Sequence, residues 1–132
     1  MDGWTATFRR APSFLLFHPR FGAYIRYMTI RVMTFDGCPN CRATRVLVEQ
    51  TVRELHLEAE IETIRVRDED EARRYRFLGS PTVQVDGNDI EAGKDTLETS
   101  FSCRVYRTPS GITGVPPKDL LLEAIRRVVR PE

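Results

Sequence analysis

Apolar and polar residues alternate through most of the chain, and the period of this alternation predicts a succession of strands and helices. Thr29–Phe35 is apolar and β-branched until Asp36-Gly37 ends the run, which predicts a first strand. From about Pro39 to Leu57 the apolar residues recur at helical spacing and predict a long helix. The predicted buried stripe of this helix consists of Val48, Val52 and Leu55.

A second strand and a short helix are predicted next. Glu60–Val66 alternates charged and apolar side chains, as a half-buried strand does. Residues 68–71 are all acidic and are followed by arginines, an order of charges that complements the dipole of a helix. Gly79 is predicted to follow that helix at the C′ position, because glycine readily adopts the left-handed conformation common there.

The remaining elements are a hairpin, an additional strand and a final helix. Thr82–Val85 predicts a third strand, and Asp86-Gly87 is a strong signal for a two-residue turn into a return strand at Asp89–Glu91. An extra short strand is predicted within Phe101–Arg107, where residues that favour β-structure recur. Pro116-Pro117 introduces the last helix. Its predicted apolar face consists of Leu121, Ile125 and Val128.

The predicted order of elements is therefore β-α-β-α-β-β-α. A helix connects the first two strands, so these strands should be parallel, whereas the hairpin makes the last two antiparallel. The pattern predicts an α/β fold in which a mixed four-stranded sheet is flanked by helices.

Composition restricts the classes of protein and partner. A chain of 132 residues, 41% hydrophobic and 30% charged, is typical of one globular domain. The net charge of +1 indicates no broad basic face, so no nucleic-acid partner is predicted. No apolar run approaches the roughly 20 residues that span a bilayer, so no membrane partner is predicted either. Three cysteines are too few for a disulfide-stapled secreted scaffold, and a cytoplasmic location is expected.

The first 27 residues are interpreted as a flexible extension that precedes a domain at residues 28–132. Arg9-Arg10 and the apolar run Phe14–Phe17 imitate a signal peptide, but the run has only four residues where a secretory core needs about 7–15. Regular structure is predicted immediately after Met28. We therefore expect Met28 to be the native start of the protein.

Candidate chemistry centres on Cys38 and Cys41, which lie three residues apart where the first strand meets the first helix. With Pro39 at the first helical position, Cys38 would be the N-cap, where free N–H groups and the helix dipole favour a thiolate. The pKa of a thiol in such a setting falls from about 8.5 into roughly the 3.5–7.5 range. Cys41 would be the more buried, protonated partner, which suits a resolving thiol.

The two cysteines are a poor basis for a structural zinc site, which usually has four protein ligands. The remaining candidate ligands, Cys103, His56 and His18, do not form a second closely spaced pair. No resident metal and no cofactor are therefore predicted. Binding of a soft metal ion such as mercury or arsenic by the two thiolates stays open as an alternative.

A later motif extends the pattern. Ser80-Pro81-Thr82 begins the third strand, about forty residues after the cysteine pair. Together with the strand, Cys-x-x-Cys, helix, strand and helix that precede it, this motif resembles the thioredoxin-fold family. The resemblance implies a thioredoxin-like fold for roughly residues 28–130, a cis Pro81 packed beside the dithiol, and a substrate-binding role for Ser80, Pro81 and Thr82. In that family the backbone before the proline accepts an extended substrate by strand addition.

A narrower resemblance is to short bacterial thioredoxin-like proteins, some of which are labelled alkylmercury lyase. Four runs carry it, namely Phe35–Asn40, Phe77–Thr82, Ser102–Tyr106 and Gly114–Pro117. The chain differs from thioredoxin proper because it has no Trp before the first cysteine and no Gly-Pro between the two.

Three functions follow as hypotheses. The first is a thiol–disulfide oxidoreductase in which Cys38 is the nucleophile and Cys41 the resolving thiol, acting on a thiol or disulfide substrate, either protein or small molecule. The second is a thiophilic-metal binding or detoxification protein, and the third a non-catalytic binding module. Cys103 is either a buried free cysteine on the extra strand or a third member of the site, as a resolving thiol or soft-metal ligand.

Overall fold

The computed structural model describes residues 27–94 and 98–129. It also describes two short strands near the N-terminus, β1 (Phe17–His18) and β2 (Ala23–Tyr24), which pair antiparallel. The rest of the predicted N-terminal extension lies outside the described residues.

The main body combines a mixed sheet with helices on both faces. Strands β3, β4, β5 and β6 form a four-stranded sheet in the order β4-β3-β5-β6 within the described residues. The predicted α/β fold and mixed sheet are confirmed. The elements after β2 are β3 (Met28–Thr34), α1 (Cys41–Glu54), β4 (Ala59–Arg65), α2 (Glu69–Tyr75), β5 (Thr82–Val85), β6 (Asn88–Asp89), β7 (Tyr106–Thr108), β8 (Gly111–Thr113) and α3 (Lys118–Val129).

Strand β3 is the centre of the sheet and pairs with β4 in parallel and with β5 antiparallel. The parallel pairing follows from the crossover through α1, and the antiparallel β5–β6 pair follows from the tight turn between them. Asp86 and Gly87 have φ values of 51° and 87°, the two positive angles that a type I′ turn requires. The hairpin predicted from Asp-Gly is therefore confirmed.

Because side chains alternate along a strand, β3 contributes to two separate apolar clusters. Met28, Ile30 and Val32 lie on the face covered by α1 and α3, whereas Met33 lies on the face covered by α2. The helix residues buried on the first face are Val48, Val52, Leu121, Ala124 and Ile125. On the second face, Met33 packs with Val66, Ala72 and Phe77.

Two predictions about helix ends are wrong. Leu55 is 43% exposed, because α1 ends at Glu54 and Leu55 forms its C-cap instead of continuing the buried stripe. The left-handed residue after α2 is Arg76 (φ 57°), not Gly79. The Arg76 guanidinium donates a hydrogen bond to the carbonyl oxygen of Gly87 at 2.6 Å, which ties this helix end to the β5–β6 turn.

The predicted strand at Phe101–Arg107 is also wrong in its extent. Residues 98–105, hereafter the return segment, pass back beside the start of β5, where Cys103 forms an isolated parallel bridge with Ser80. A regular strand begins only at Tyr106, which belongs to a separate hairpin of β7 and β8. The β5–β6 hairpin pairs only from Val83 onward, so it leaves the backbone at Ser80 available to the return segment.

A buried ion cluster fixes the return segment in place. The Arg104 side chain is 5% exposed, donates two hydrogen bonds of 2.8 Å to the Asp89 carboxylate and a third of 2.7 Å to Glu91. It also lies over the Tyr106 ring, 4.5 Å from its centroid. Burial by itself would lower the pKa of Arg104, but the hydrogen bonds to Asp89 and Glu91 and the surrounding charges raise it well above its usual value. Arg104 therefore stays charged.

We expect Arg104→Met to lower the free energy of unfolding by about 3–5 kcal/mol, because it removes the guanidinium that compensates the charge of the buried Asp89 carboxylate. Arg126→Met is the matched control, since Arg126 pairs with Glu123 at an exposed position where ion pairs contribute little. Urea denaturation of both variants measures the difference. Equal stability losses would contradict the role of the cluster.

Candidate functional site

The dithiol loop, residues 35–41, connects the end of β3 to the start of α1. Its first turn is closed by a hydrogen bond of 3.3 Å from the Cys38 N–H to the Phe35 carbonyl oxygen. Gly37 occupies this turn with φ 82°, a conformation that a side chain would strain. The Asp-Gly pair thus directs the chain from the strand end to Cys38.

Cys38 does not lie at the helix N-cap, contrary to the prediction. Pro39 and Asn40 form a turn of their own, α1 begins at Cys41, and Asn40 is the N-cap residue. Cys38 therefore lies two residues before the N-cap, and Cys41 is the first helical residue. The helical hydrogen bonds begin at Asn40, whose carbonyl oxygen accepts from the Thr44 N–H at 3.1 Å, so the helix starts at Cys41 and not at Pro39.

Cys41 is held by a residue that the sequence did not single out. Its Sγ lies 3.6 Å from Oγ1 of Thr34, the last residue of β3, whose side chain is buried. The signal that identifies Thr34 is a polar residue at the end of an apolar strand, directly before the cysteine motif. Cys38 and Cys41 are both partly buried, so the predicted contrast in their burial is not evident.

The proline motif lies against the dithiol loop. The Ser80–Pro81 peptide bond is cis, and Ser80, Pro81 and Thr82 are all buried. Ser80 Oγ accepts a hydrogen bond of 3.2 Å from the Phe35 N–H. The structure therefore brings together two motifs that are about forty residues apart in sequence.

The backbone of Ser80 is already paired within the chain. Its N–H donates to the Ser102 carbonyl oxygen at 2.8 Å, and its own carbonyl oxygen accepts from the Arg104 N–H at 3.0 Å. The resemblance to thioredoxins implied that these groups would be offered to a substrate. In this structure the return segment occupies them.

Thr82 has a positioning role beside the proline. Its Oγ1 donates to the Gly79 carbonyl oxygen at 2.6 Å and accepts from the Leu78 N–H at 3.1 Å. The same oxygen also accepts from Arg104 Nη1 at 3.2 Å. On the other side of the turn, the hydroxyl of Tyr106 donates to the Pro81 carbonyl oxygen at 2.6 Å. The proline turn is thus fixed by side chains from the return segment and from β7.

Cys103 is exposed, so its interpretation as a buried free cysteine is wrong. It lies in the return segment opposite Ser80. Within the part of the chain that the structure describes, no three or more His, Cys, Asp or Glu residues are arranged to hold a metal ion. This geometry gives no support to Cys103 as a third soft-metal ligand.

The dithiol loop also contacts the chain before α3. Gly114 faces the Asn40 side chain so closely that a Cβ at Gly114 would overlap the amide group. At the other end of the loop, the Phe35 ring meets the Phe101 ring edge to face, with 5.2 Å between centroids. Residues downstream of the β5–β6 hairpin therefore pack against both ends of the dithiol loop.

Comparison with known proteins agrees with the fold. A family model described as the thioredoxin domain matches residues 28–102, more than half of the chain. The chain belongs to the thioredoxin domain family. A thioredoxin of Methanocaldococcus jannaschii is 27% identical to it over 99 residues, which cover 74% of this chain and 92% of the relative. Membership supports, at the level of the family, a role of the thiol–disulfide oxidoreductase type.

The thioredoxin domain match ends before the residues that anchor the return segment. Cys103, Arg104 and Tyr106 all lie beyond residue 102. Within residues 27–94 and 98–129, no helix is long and apolar enough to cross a membrane.

We expect Thr34→Val to slow the step performed by Cys41 several-fold, because a hydroxyl within reach of a thiolate stabilises it by a charge-assisted hydrogen bond. In a Cys103→Ser background, which removes the exposed third thiol, an aromatic disulfide reagent releases one thiolate when Cys38 attacks and a second when Cys41 resolves the mixed disulfide. Stopped-flow absorbance should show the second phase slowed and the first unchanged. Thr63→Val, at an exposed position on β4, is the control. An unaltered second phase in Thr34→Val would contradict the role of Thr34.

Proposed function

We propose that the protein is a thiol–disulfide oxidoreductase in which Cys38 is the nucleophile and Cys41 the resolving thiol. The observation that carries this proposal is the hydrogen bond from the Phe35 N–H to Ser80 Oγ, which joins the dithiol loop to the cis-proline turn. Two partly buried thiols beside a rigid turn can meet a substrate sulfur in a defined orientation.

The chemistry follows from thiol–disulfide exchange. The Cys38 thiolate attacks one sulfur of a substrate disulfide, forms a mixed disulfide and releases the first substrate thiol. The Cys41 thiolate then attacks Cys38, which releases the second thiol and leaves a Cys38–Cys41 disulfide. Two electrons pass from the protein to the substrate, and the substrate thiolates take up the two protons. The same steps in reverse oxidise a pair of thiols.

Ser80, Pro81 and Thr82 are proposed to form the wall of the substrate site. Pro81 has no N–H, and the carbonyl oxygen of Pro81 is bonded to Tyr106, so this wall presents few free polar groups. Cys103 lies on the return segment beside this wall. We propose no catalytic role for Cys103, because none of its described contacts is with Cys38 or Cys41.

The finer sequence-based hypotheses are retained as proposals. We propose a domain at residues 28–132 after an extension at 1–27, supported by the start of both β3 and the family match at residue 28. A cytoplasmic location is proposed because three unevenly spaced cysteines are too few for a disulfide-stapled secreted scaffold. The likeness to short bacterial thioredoxin-like proteins rests on the four sequence runs named above. Soft-metal binding by Cys38 and Cys41 is the competing proposal that the following experiment separates.

Cys38→Ser should abolish reduction of a disulfide substrate, because it removes the attacking thiolate. Cys41→Ser should still attack once and stop at a mixed disulfide, which mass spectrometry detects as an added substrate mass on Cys38. Cys103→Ser is the matched control and should retain turnover. Full turnover by Cys38→Ser would refute the assignment, and stoichiometric mercury binding without any disulfide reduction would favour the metal hypothesis.

A further inference from the structure

We propose that the return segment closes the polypeptide-binding position beside the dithiol, so that the substrates are low-molecular-weight disulfides and not extended polypeptide chains. This inference rests on the proposed oxidoreductase function and specifies its substrate class. It also assigns the residues that determine this specificity, which are Ser102 and Arg104 through their backbone and Arg104 and Tyr106 through their side chains.

The first observation is that the backbone groups of Ser80, to which an extended substrate would bond, are already hydrogen-bonded within the chain. A peptide that binds as an added strand requires free N–H and carbonyl groups on the receiving backbone. At Ser80 both groups are bonded to the return segment, at 2.8 Å to Ser102 and 3.0 Å to Arg104. A substrate strand would have to displace these bonds, and it would regain no more than the protein loses.

The second observation is that the neighbouring backbone offers no substitute. On the other side of the dithiol loop, the Phe35 N–H is bonded to Ser80 Oγ and its carbonyl oxygen accepts from the Cys38 N–H. The Thr34 carbonyl oxygen accepts from the Val66 N–H at 2.7 Å. The N–H and carbonyl groups of Phe35 and Ser80 and the carbonyl oxygen of Thr34 are therefore bonded within the chain.

The third observation is that buried side-chain contacts of Arg104 hold the return segment in place. Displacing it would break the contacts of the buried Arg104 guanidinium with Asp89 and Glu91, which is costly because the buried Asp89 carboxylate would lose the positive charge that compensates it. Gly79, with φ 115°, allows the close approach, since a Cβ there would lie 2.8 Å from the Arg104 Cβ. The packing of the fold therefore holds the return segment against Ser80.

The fourth observation is the space that remains. A cavity of about 320 Å³ lies beside the first residues of the dithiol loop, within the range of small-molecule sites. Its lining joins aromatic and charged side chains and includes neither cysteine, so it could take the part of a small disulfide that does not react and not the reacting sulfur itself. The lining residues are Phe35, Asp36, Val66, Arg67 and Phe101.

The reaction is the same exchange with a defined substrate class. One reduced protein and one small disulfide give two small thiols and a Cys38–Cys41 disulfide, so the two electrons and two protons balance without any further reactant. Pre-reduced full-length protein can therefore be tested in a single turnover.

The test compares two probes with the same leaving group. One is the mixed disulfide of N-acetylcysteine amide with thionitrobenzoate, and the other is the same mixed disulfide at the central cysteine of an extended nine-residue peptide. Release of the coloured thiolate beyond that seen with Cys38→Ser, which keeps the exposed Cys103 thiol, gives the rate of attack by Cys38. We expect the wild-type protein to react with the peptide no faster than with the amino-acid probe. A faster reaction with the peptide than with the amino-acid probe would overturn the proposal.

Gly79→Ala should move the return segment away from Ser80 and shift the rate ratio several-fold towards the peptide. Gly111→Ala is the matched control, because Gly111 also has a large positive φ of 135° but no atom lies within 4 Å of the added Cβ. The control should show the wild-type ratio. An unchanged ratio in folded Gly79→Ala would count against the proposal.

Amide hydrogen exchange of the wild-type protein provides a measurement that does not depend on a variant folding. The N–H groups of Ser80 and Arg104 should exchange as slowly as those of the β3–β5 ladder. Rapid exchange confined to these two amides would overturn the proposal. If Cys38 attacks neither probe, the oxidoreductase function itself fails and the inference fails with it; if it attacks both and prefers the peptide, only the inference fails.

Discussion

The pairing of Ser80 is the constraint on which the rest of the site depends. Its hydroxyl oxygen holds the start of the dithiol loop through the Phe35 N–H, and its two backbone groups hold the return segment. One residue therefore links the dithiol loop, the cis-proline turn and the return segment. Because each of these contacts satisfies a buried polar group, none can be lost without exposing or orphaning another.

The Arg104 cluster explains why the return segment is stable in a small protein. A buried guanidinium is tolerable only where carboxylates compensate its charge, and Asp89 and Glu91 provide them from the end of the β5–β6 hairpin. Tyr106 packs on the same guanidinium and bonds to the Pro81 carbonyl oxygen. Arg104 and Tyr106 lie beyond the family match. They add to the thioredoxin domain the contacts that hold the return segment beside the dithiol loop.

Sequence patterns predicted the local elements well because their signals are local. The helical spacing of α1, the Asp86-Gly87 turn and the strand that precedes Cys38 are each determined by residues within one turn or one strand. Two of the errors concern residues whose local signal was compatible with two structures. Gly79 was expected to end a helix, but its positive φ serves the close approach of Arg104. Pro39 was expected inside the helix, but it forms a turn before it.

The sequence by itself determined that this is an α/β domain with a candidate dithiol at a strand-to-helix junction and a proline motif to match it. Only the tertiary structure decided what surrounds them, namely Thr34 against Cys41, Ser80 against Phe35, and the return segment against Ser80. The physical reason is that these hydrogen bonds join backbone and side-chain groups whose partners depend on the packed arrangement of several elements. Periodicity reveals which face of an element is buried, but it carries no information about which distant residue will satisfy a particular polar group.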